Sequence, residues 1–151
     1  LYGIHDDDAL RASDAICSAL QLINFWQDLS VDLPRGRVYL PEADCRQFGV
    51  SARQLAAPAH DAAARALVAD LARWAAQLMA RGALLPLRVP GRAGWELRAV
   101  MHGGWRILEK IAAMQFRTFV VRPRITAADA LPIAWRTLRF SPRQFRPDAL
   151  A

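Results

Sequence analysis

Apolar positions recur at helical spacing along most of the chain, and no credible pair of strands interrupts them. The spacing predicts a first long helix opening after the Asp6–Asp8 cluster, a composition suited to an N-cap and first turn. It runs through ALRASDAICSALQLINFWQDLSVD and stops before Pro34 and Gly36. PRGRVYLP then reads as a turn followed by a short extended piece, and EADCRQFG as a short helix closed by Gly49. DAAARALVADLARWAAQLMARG is amphipathic, with Leu67, Leu71, Trp74 and Leu78 at helical spacing and Gly82 as a C-terminal cap. A further helix is expected from Gly94 to Val120, after the Pro90-Gly91 break. Thr126-x-x-Asp129 has the form of an acidic capping box that opens a last helix ending near Phe140. The tail SPRQFRPDALA reads as polar and frayed. The expected class is all-α, one domain over residues 1–140 with a polar tail over 141–151.

Composition supports that class. The 151 residues include 29 alanines but only 8 glycines, a mixture that favours helices. No stretch of 18 residues lacks charge, so no transmembrane span is expected, and the start LYGIHDDDAL does not read as a signal peptide. Cys17 and Cys45 are too few and too far apart for a disulfide framework or a zinc site, which makes a reducing, cytoplasmic setting the default.

The net charge of +6 hides an asymmetry. Residues 1–34 hold six aspartates against Arg11, while the remainder holds 19 basic residues against 8 acidic ones. An acidic head suits a cation and a basic body suits anions. Arginine supplies 19 of the 20 bases, and arginine grips phosphate in bidentate fashion. The arginines are dispersed, and no RNP, KH or zinc pattern is present, so no nucleic-acid partner is expected.

The first helix carries the chemistry. With Asn24 set to zero on a helical wheel, Asp28 falls at about 40°, Gln21 at about 60°, and Asp14 and Asp32 at about 80°. Five oxygen-bearing side chains therefore share one face, with Leu22, Phe25, Trp26 and Leu29 on the other side. Carboxylates and an amide oxygen are hard ligands, and Mg²⁺ commonly takes one or two carboxylates plus water and substrate phosphate. The spacing N-x-x-x-D-x-x-x-D thus suits a Mg²⁺–diphosphate. A solvated polar face would show the same spacing.

QLINFWQDLSVDLPRGRVYLP, Gln21 to Pro41, resembles the second aspartate-rich motif of the squalene/phytoene synthase family. The shared pattern is Q-L-x-N-x-x-x-D-x-x-x-D followed by R-G-R-x-Y-L-P. WELRAVMHGGWRILEKI, Trp95 to Ile111, resembles the family's C-terminal active-site helix. N-F-W-Q-D at Asn24 to Asp28, Val31 beside Asp32, and Gly104 where the family usually has Tyr depart from the phytoene and squalene pattern. They favour the hydroxysqualene-forming branch of hopanoid biosynthesis.

The resemblance implies an all-α isoprenoid synthase fold in which two aspartate-rich helices face each other across a cavity. Only one such helix is here, so the chain reads as a C-terminal half whose N-terminal half is missing. The implied reaction takes presqualene diphosphate and water to hydroxysqualene and diphosphate. Asn24, Asp28 and Asp32 would hold Mg²⁺, with Asp28 and Asp32 as the catalytic pair. Gln21, Arg37, Tyr39 and Arg122 would bind the diphosphate beside Asn24. Leu22, Phe25 and Met101 are candidates to line the apolar cavity. The alternatives are head-to-head prenyl transfer on the same fold, a basic helical binding module, and a degenerate structural subunit. The lipophilic substrate also suits peripheral membrane contact, with no face assignable.

Lesser features have plain readings. His102 is a candidate water-positioning group or a packing residue. Gly103-Gly104 leaves room for close packing or substrate. The five tryptophans read as core or interface anchors. His5 and His60 have no nameable partner.

Overall fold

The computed structural model describes residues 6–56 and 61–150; His5 and His60 lie outside them. Among the described residues there is no strand. Eight α-helices follow one another: α1 (Asp7–Gln27), α2 (Leu29–Asp32), α3 (Glu42–Phe48), α4 (Ala52–Ala56), α5 (Ala62–Arg81), α6 (Leu85–Arg88), α7 (Gly91–Ala113) and α8 (Ala127–Leu138). Three long helices, α1, α5 and α7, pack together as the core, and α8 lies on α7.

The starts of the helices follow the side chains that cap them. Asp6 accepts from the Ala9 N–H and Asp61 from the Ala64 N–H, each satisfying a backbone donor that the first turn leaves free. Those bonds hold both carboxyls below their ordinary range. At α8 the capping box forms: the Thr126 N–H and hydroxyl both donate to Asp129, at 2.7 and 2.8 Å.

The core is built on a close approach. Ile16, Ala19, Ile23 and Trp26 of α1 face Leu67, Val68, Leu71, Ala72, Ala75 and Met79 of α5, all fully buried. Gly82 is the C-cap of α5, as expected, and holds an ordinary right-handed backbone there. It also serves proximity. A Cβ there would run into Ile16 and sit 2.7 Å from the Ala12 carbonyl. Small residues at 72, 75 and 76 bring the helices together and turn Trp74 outward, so Trp74 is exposed and does not join the Leu67–Leu71 stripe. Trp95 and Trp135 are also exposed; only Trp26 and Trp105 are core anchors.

Two further differences have physical causes. α7 stops at Ala113, well before Val120. Gln115 and Phe116 adopt positive φ, and their N–H groups donate to Ala112 and Ile111, a Schellman ending formed without glycine. The tail is docked, not frayed. Phe145 and Leu150 are buried, and the turn Pro147–Leu150 packs on α5 and α7. Their apolar surface leaves water there, which repays ordering a short segment.

His102 sits beneath that tail. Its ring stacks on Phe145 at 4.9 Å and meets Phe140 edge-on, with both nitrogens buried and unpartnered. Burial, then the Arg136 charge, pushes its pKa down to about 4. The unfolded chain titrates this group near 6.5, so between those values it binds a proton that the fold refuses. Stability should therefore fall as pH drops from 6.5 to 4, by up to about 3 kcal/mol. Denaturant midpoints across that range test this. His102→Leu should lose most of the slope, and a slope unchanged from wild type would refute the assignment.

Candidate active site

α1 does not run unbroken through the aspartate motif. It pauses at Asp28, whose φ and ψ of −97° and 6° leave the helical region. The Asp28 N–H is shared between the Asn24 and Phe25 carbonyls, at 3.1 and 3.3 Å. Its own carbonyl accepts from Val31 and Asp32, so α2 resumes at once. Asp is a poor interior helix residue, and Pro34 removes a donor just ahead. The pause keeps Asp28 and Asp32 about one turn apart while letting Asp28 turn toward the 117–126 loop.

That loop brings Arg122 to Asp28. Arg122 Nε donates to Oδ1 at 2.5 Å and Arg122 NH2 to Oδ2 at 3.1 Å, a fork-on-fork contact across 94 positions of sequence. The Asp28 side chain is 19% exposed and the Arg122 side chain 34%. The second aspartate has its own arginine. After Asp32, the 3-10 turn Leu33–Arg35 closes on Gly36, whose φ of 73° suits glycine. The turn returns Arg37, whose N–H donates to the Asp32 carbonyl at 3.0 Å and whose guanidinium lies 3.7 Å from the carboxylate. Tyr39 then stacks on Phe25 at 4.3 Å, nearly parallel, which holds the R-G-R-V-Y segment against α1.

A groove of about 520 Å³ is lined by Arg122 of the first pair. Asn24, Gln27, Arg122 and Arg124 supply its polar wall, and Leu20, Ile23, Ile107 and Ile125 its apolar one. The two glycines of α7 divide the labour. A Cβ at Gly104 would press on Leu20 at 2.7 Å, so Gly104 permits helix contact. A Cβ at Gly103 would meet open space, and Gly103 leaves the groove wide.

The structure thus pairs Asp28 with Arg122 and Asp32 with Arg37, lays Tyr39 on Phe25, and sets Asn24 and Arg122 in the groove wall. Gln21 is exposed and makes no side-chain hydrogen bond among the described residues. Asp14 lies elsewhere, in a separate groove of about 700 Å³ shared with Asp8, Arg11, Arg81 and Arg88. Although larger, that groove holds none of the motif residues. His102 does not line the site groove, so it does not position water there. Met101 is fully buried and absent from the groove wall, and Leu22 and Phe25 are half-buried outside it.

Gln27 is the site residue that sequence reasoning missed. Its amide donates to the Pro123 carbonyl at 2.8 Å and ties the Arg122 loop to α1. The only available signal was its place beside Asp28.

As a metal site, the arrangement is half a cage. Among the described residues no group of three or more His, Cys, Asp or Glu side chains converges. Two carboxylates and an amide one turn apart fit a hard divalent ion that keeps water and phosphate among its ligands. The two arginines fit the phosphate.

The chain as a whole has relatives among known proteins. A family model described as squalene/phytoene synthase matches residues 1–129, and the chain belongs to that family. A phytoene synthase from Thermus thermophilus is 37% identical over 130 residues, covering 83% of this chain and 44% of the relative. The crystal structure of squalene synthase HpnC from Alicyclobacillus acidocaldarius superposes with a TM-score of 0.73 at 35% identity, over 77% of this chain and 44% of that one. The chain therefore spans under half the length of each of these relatives. The all-α isoprenoid synthase fold is the one expected from the motif.

The Gln27 tie makes a direct prediction. Gln27→Ala should speed amide exchange at Val121 to Ile125 roughly fivefold, the effect of losing a hydrogen bond of about 1 kcal/mol. Hydrogen–deuterium exchange checks this, and unchanged protection there would show that Arg122 alone holds the loop.

Proposed function

We propose that this chain is the C-terminal part of a Mg²⁺-dependent isoprenoid synthase that converts presqualene diphosphate and water to hydroxysqualene and diphosphate. The observation that carries this reading is the fork of Arg122 on Asp28 at a half-apolar groove that Arg122 itself lines, with Asp32 paired to Arg37 about one turn further on. A site that must hold both a cation and a polyanion needs fixed charges of both signs within reach of each other. A second aspartate-rich helix, from sequence preceding Leu1, would complete the cation's ligand set.

Asn24, Asp28 and Asp32 would hold Mg²⁺, which supplies neutralisation of the charge that builds on the leaving diphosphate. The C–O bond to diphosphate breaks, and its electron pair leaves with the phosphate oxygen. Arg122 and Arg37 then have an anion to grip in place of the carboxylates they now hold. Ile23, Leu20 and Ile107 present hydrocarbon to the carbocation and limit which water reaches it. Water adds through oxygen and loses a proton, giving the alcohol. The N-F-W-Q-D sequence supports water capture over coupling.

The names of the relatives support a second reading. A phytoene synthase is 37% identical over 130 residues and a squalene synthase superposes with a TM-score of 0.73, and head-to-head prenyl transfer would use the same charged pairs.

The two readings separate in ¹⁸O-labelled water. Given presqualene diphosphate and Mg²⁺, the complete enzyme should release a triterpene alcohol carrying the label. Coupling of two supplied prenyl diphosphates into one product with release of diphosphate, and no labelled alcohol from presqualene diphosphate, would establish the second reading. Asp28→Asn should lower turnover at least about a thousandfold, as expected for several kcal/mol of lost charge stabilisation. Wild-type turnover in that variant would remove Asp28 from the mechanism.

A further inference from the structure

The last helix is mounted with its amphipathic character reversed. The side of α8 facing α7 is charged. Asp129 is buried between Arg106 and Lys110, each at 2.8 Å, and Arg136 reaches Glu109 at 2.6 Å. The opposite side is apolar and open to solvent. Leu131, Trp135 and Leu138 are 78%, 54% and 65% exposed, with Ala128 and Ala134 exposed between them. Leu131, Trp135 and Leu138 fall within about 60° on a helical wheel, the two alanines flank them to widen the stripe to about 120°, and no polar side chain interrupts it from Thr126 to Arg139. Soluble surfaces seldom leave such a stripe uncovered without a use for it.

The ends of the stripe are basic. Exposed Arg124 precedes the Thr126 cap, and exposed Arg139 and Arg143 follow Leu138. The Gln144 amide donates to the Arg139 carbonyl, which folds the Arg143 turn back beside the helix end. Arg139 also lies over the Trp135 ring, 4.3 Å from its centre. None of these three arginines has a carboxylate partner among the described residues. Residues 111–151 hold seven arginines against two aspartates, and one of those, Asp129, is already sequestered.

We propose that α8 docks this chain on an anionic lipid surface, lying flat with Leu131, Trp135 and Leu138 among the acyl chains and the flanking arginines on the headgroups. An apolar face with a tryptophan and a cationic border is the composition of a helix that lies in the interface. No helix among the described residues is long and apolar enough to cross a membrane, so the contact is peripheral. Charge decides between this occupant and a second copy of the chain. Two α8 faces laid antiparallel would set Arg139 and Arg143 of each copy against Arg124 of the other, which repels. A bilayer offers anions at both ends at once. Exposed Ile125, two residues before α8, lines the site groove, so a surface bound along α8 would lie close to the groove's rim.

Co-sedimentation of the chain with phosphatidylcholine vesicles, with and without phosphatidylglycerol, tests this. Binding should be at least about tenfold stronger to the anionic vesicles and should weaken with added salt. Leu131→Glu should lower it at least about tenfold, because a charge replaces a buried apolar group. Arg139→Gln with Arg143→Gln should lower it for anionic vesicles. Leu84→Glu, at an exposed leucine elsewhere, should leave it unchanged. Circular dichroism should show all variants folded, since the replaced side chains are exposed. No binding to anionic vesicles, equal binding to neutral ones, or full binding by Leu131→Glu would overturn the proposal. So would sedimentation equilibrium showing α8-dependent dimers that ignore vesicles.

Discussion

The structure depends on how closely α1 can lie against α5 and α7. α1 is the core's central element and the site's main wall at once. Ile16, Ile23 and Trp26 face inward, and Asn24, Gln27 and Asp28 sit on the adjoining side of the same helix. Any looseness in the core would therefore move the charged groups. Gly82 and Gly104 remove side chains where Ile16 and Leu20 would collide, and buried alanines do the same along α5. Interiors this dense transmit displacement with little absorption, so the site inherits the rigidity of the core.

The charges around Asp28 work in the opposite sense, by being exchangeable. A half-buried carboxylate left alone would be costly, and two of them one turn apart repel. Arg122 and Arg37 satisfy both, each from a segment distant from the helix or just beyond its end. The contacts are partly solvated, so they are held less firmly than Asp129, which has Lys110, Arg106 and the Thr126 cap around it. Lys110 contributes most to holding the Asp129 carboxyl far below its ordinary range. One carboxylate is therefore locked for structure, while two others keep partners that a bound anion could claim.

Much of this was legible in the sequence where a single residue type has one physical use. Asp6 caps its helix, Thr126 and Asp129 form their box, and Gly49 takes the left-handed turn. The long, specific motif pattern also singled out Asn24, Asp28, Asp32, Arg37 and Tyr39 as candidates, and the structure sets Arg37 beside Asp32 and Tyr39 on Phe25. Other features were hidden because two readings share one signal. The end of α7 uses Gln115 and Phe116 in a conformation normally marked by glycine. The docked tail hides two apolar residues in a polar run. Arg122 matched the family only weakly, and its bond to Asp28 spans 94 positions that no local pattern connects.

α8 shows most sharply why periodicity underdetermines packing. Leu131, Trp135 and Leu138 recur at helical spacing, and the usual inference turns such a stripe toward the core. The neighbouring surface decides otherwise. Arg106, Glu109 and Lys110 stand at i, i+3 and i+4 on α7, so the seam offered to α8 is charged. Leucine or tryptophan pressed on that seam would strip three ions of water and give nothing back. Asp129 and Arg136 complement those ions one for one, and they lie on the side of α8 away from the leucines. Satisfying the buried charges fixes the rotation of the helix, and the apolar stripe is left outside as a consequence. The same fixed rotation gives the outer face its chemistry: a hydrocarbon strip held in place by ion pairs beneath it, with exposed arginines at both ends that no described carboxylate pairs.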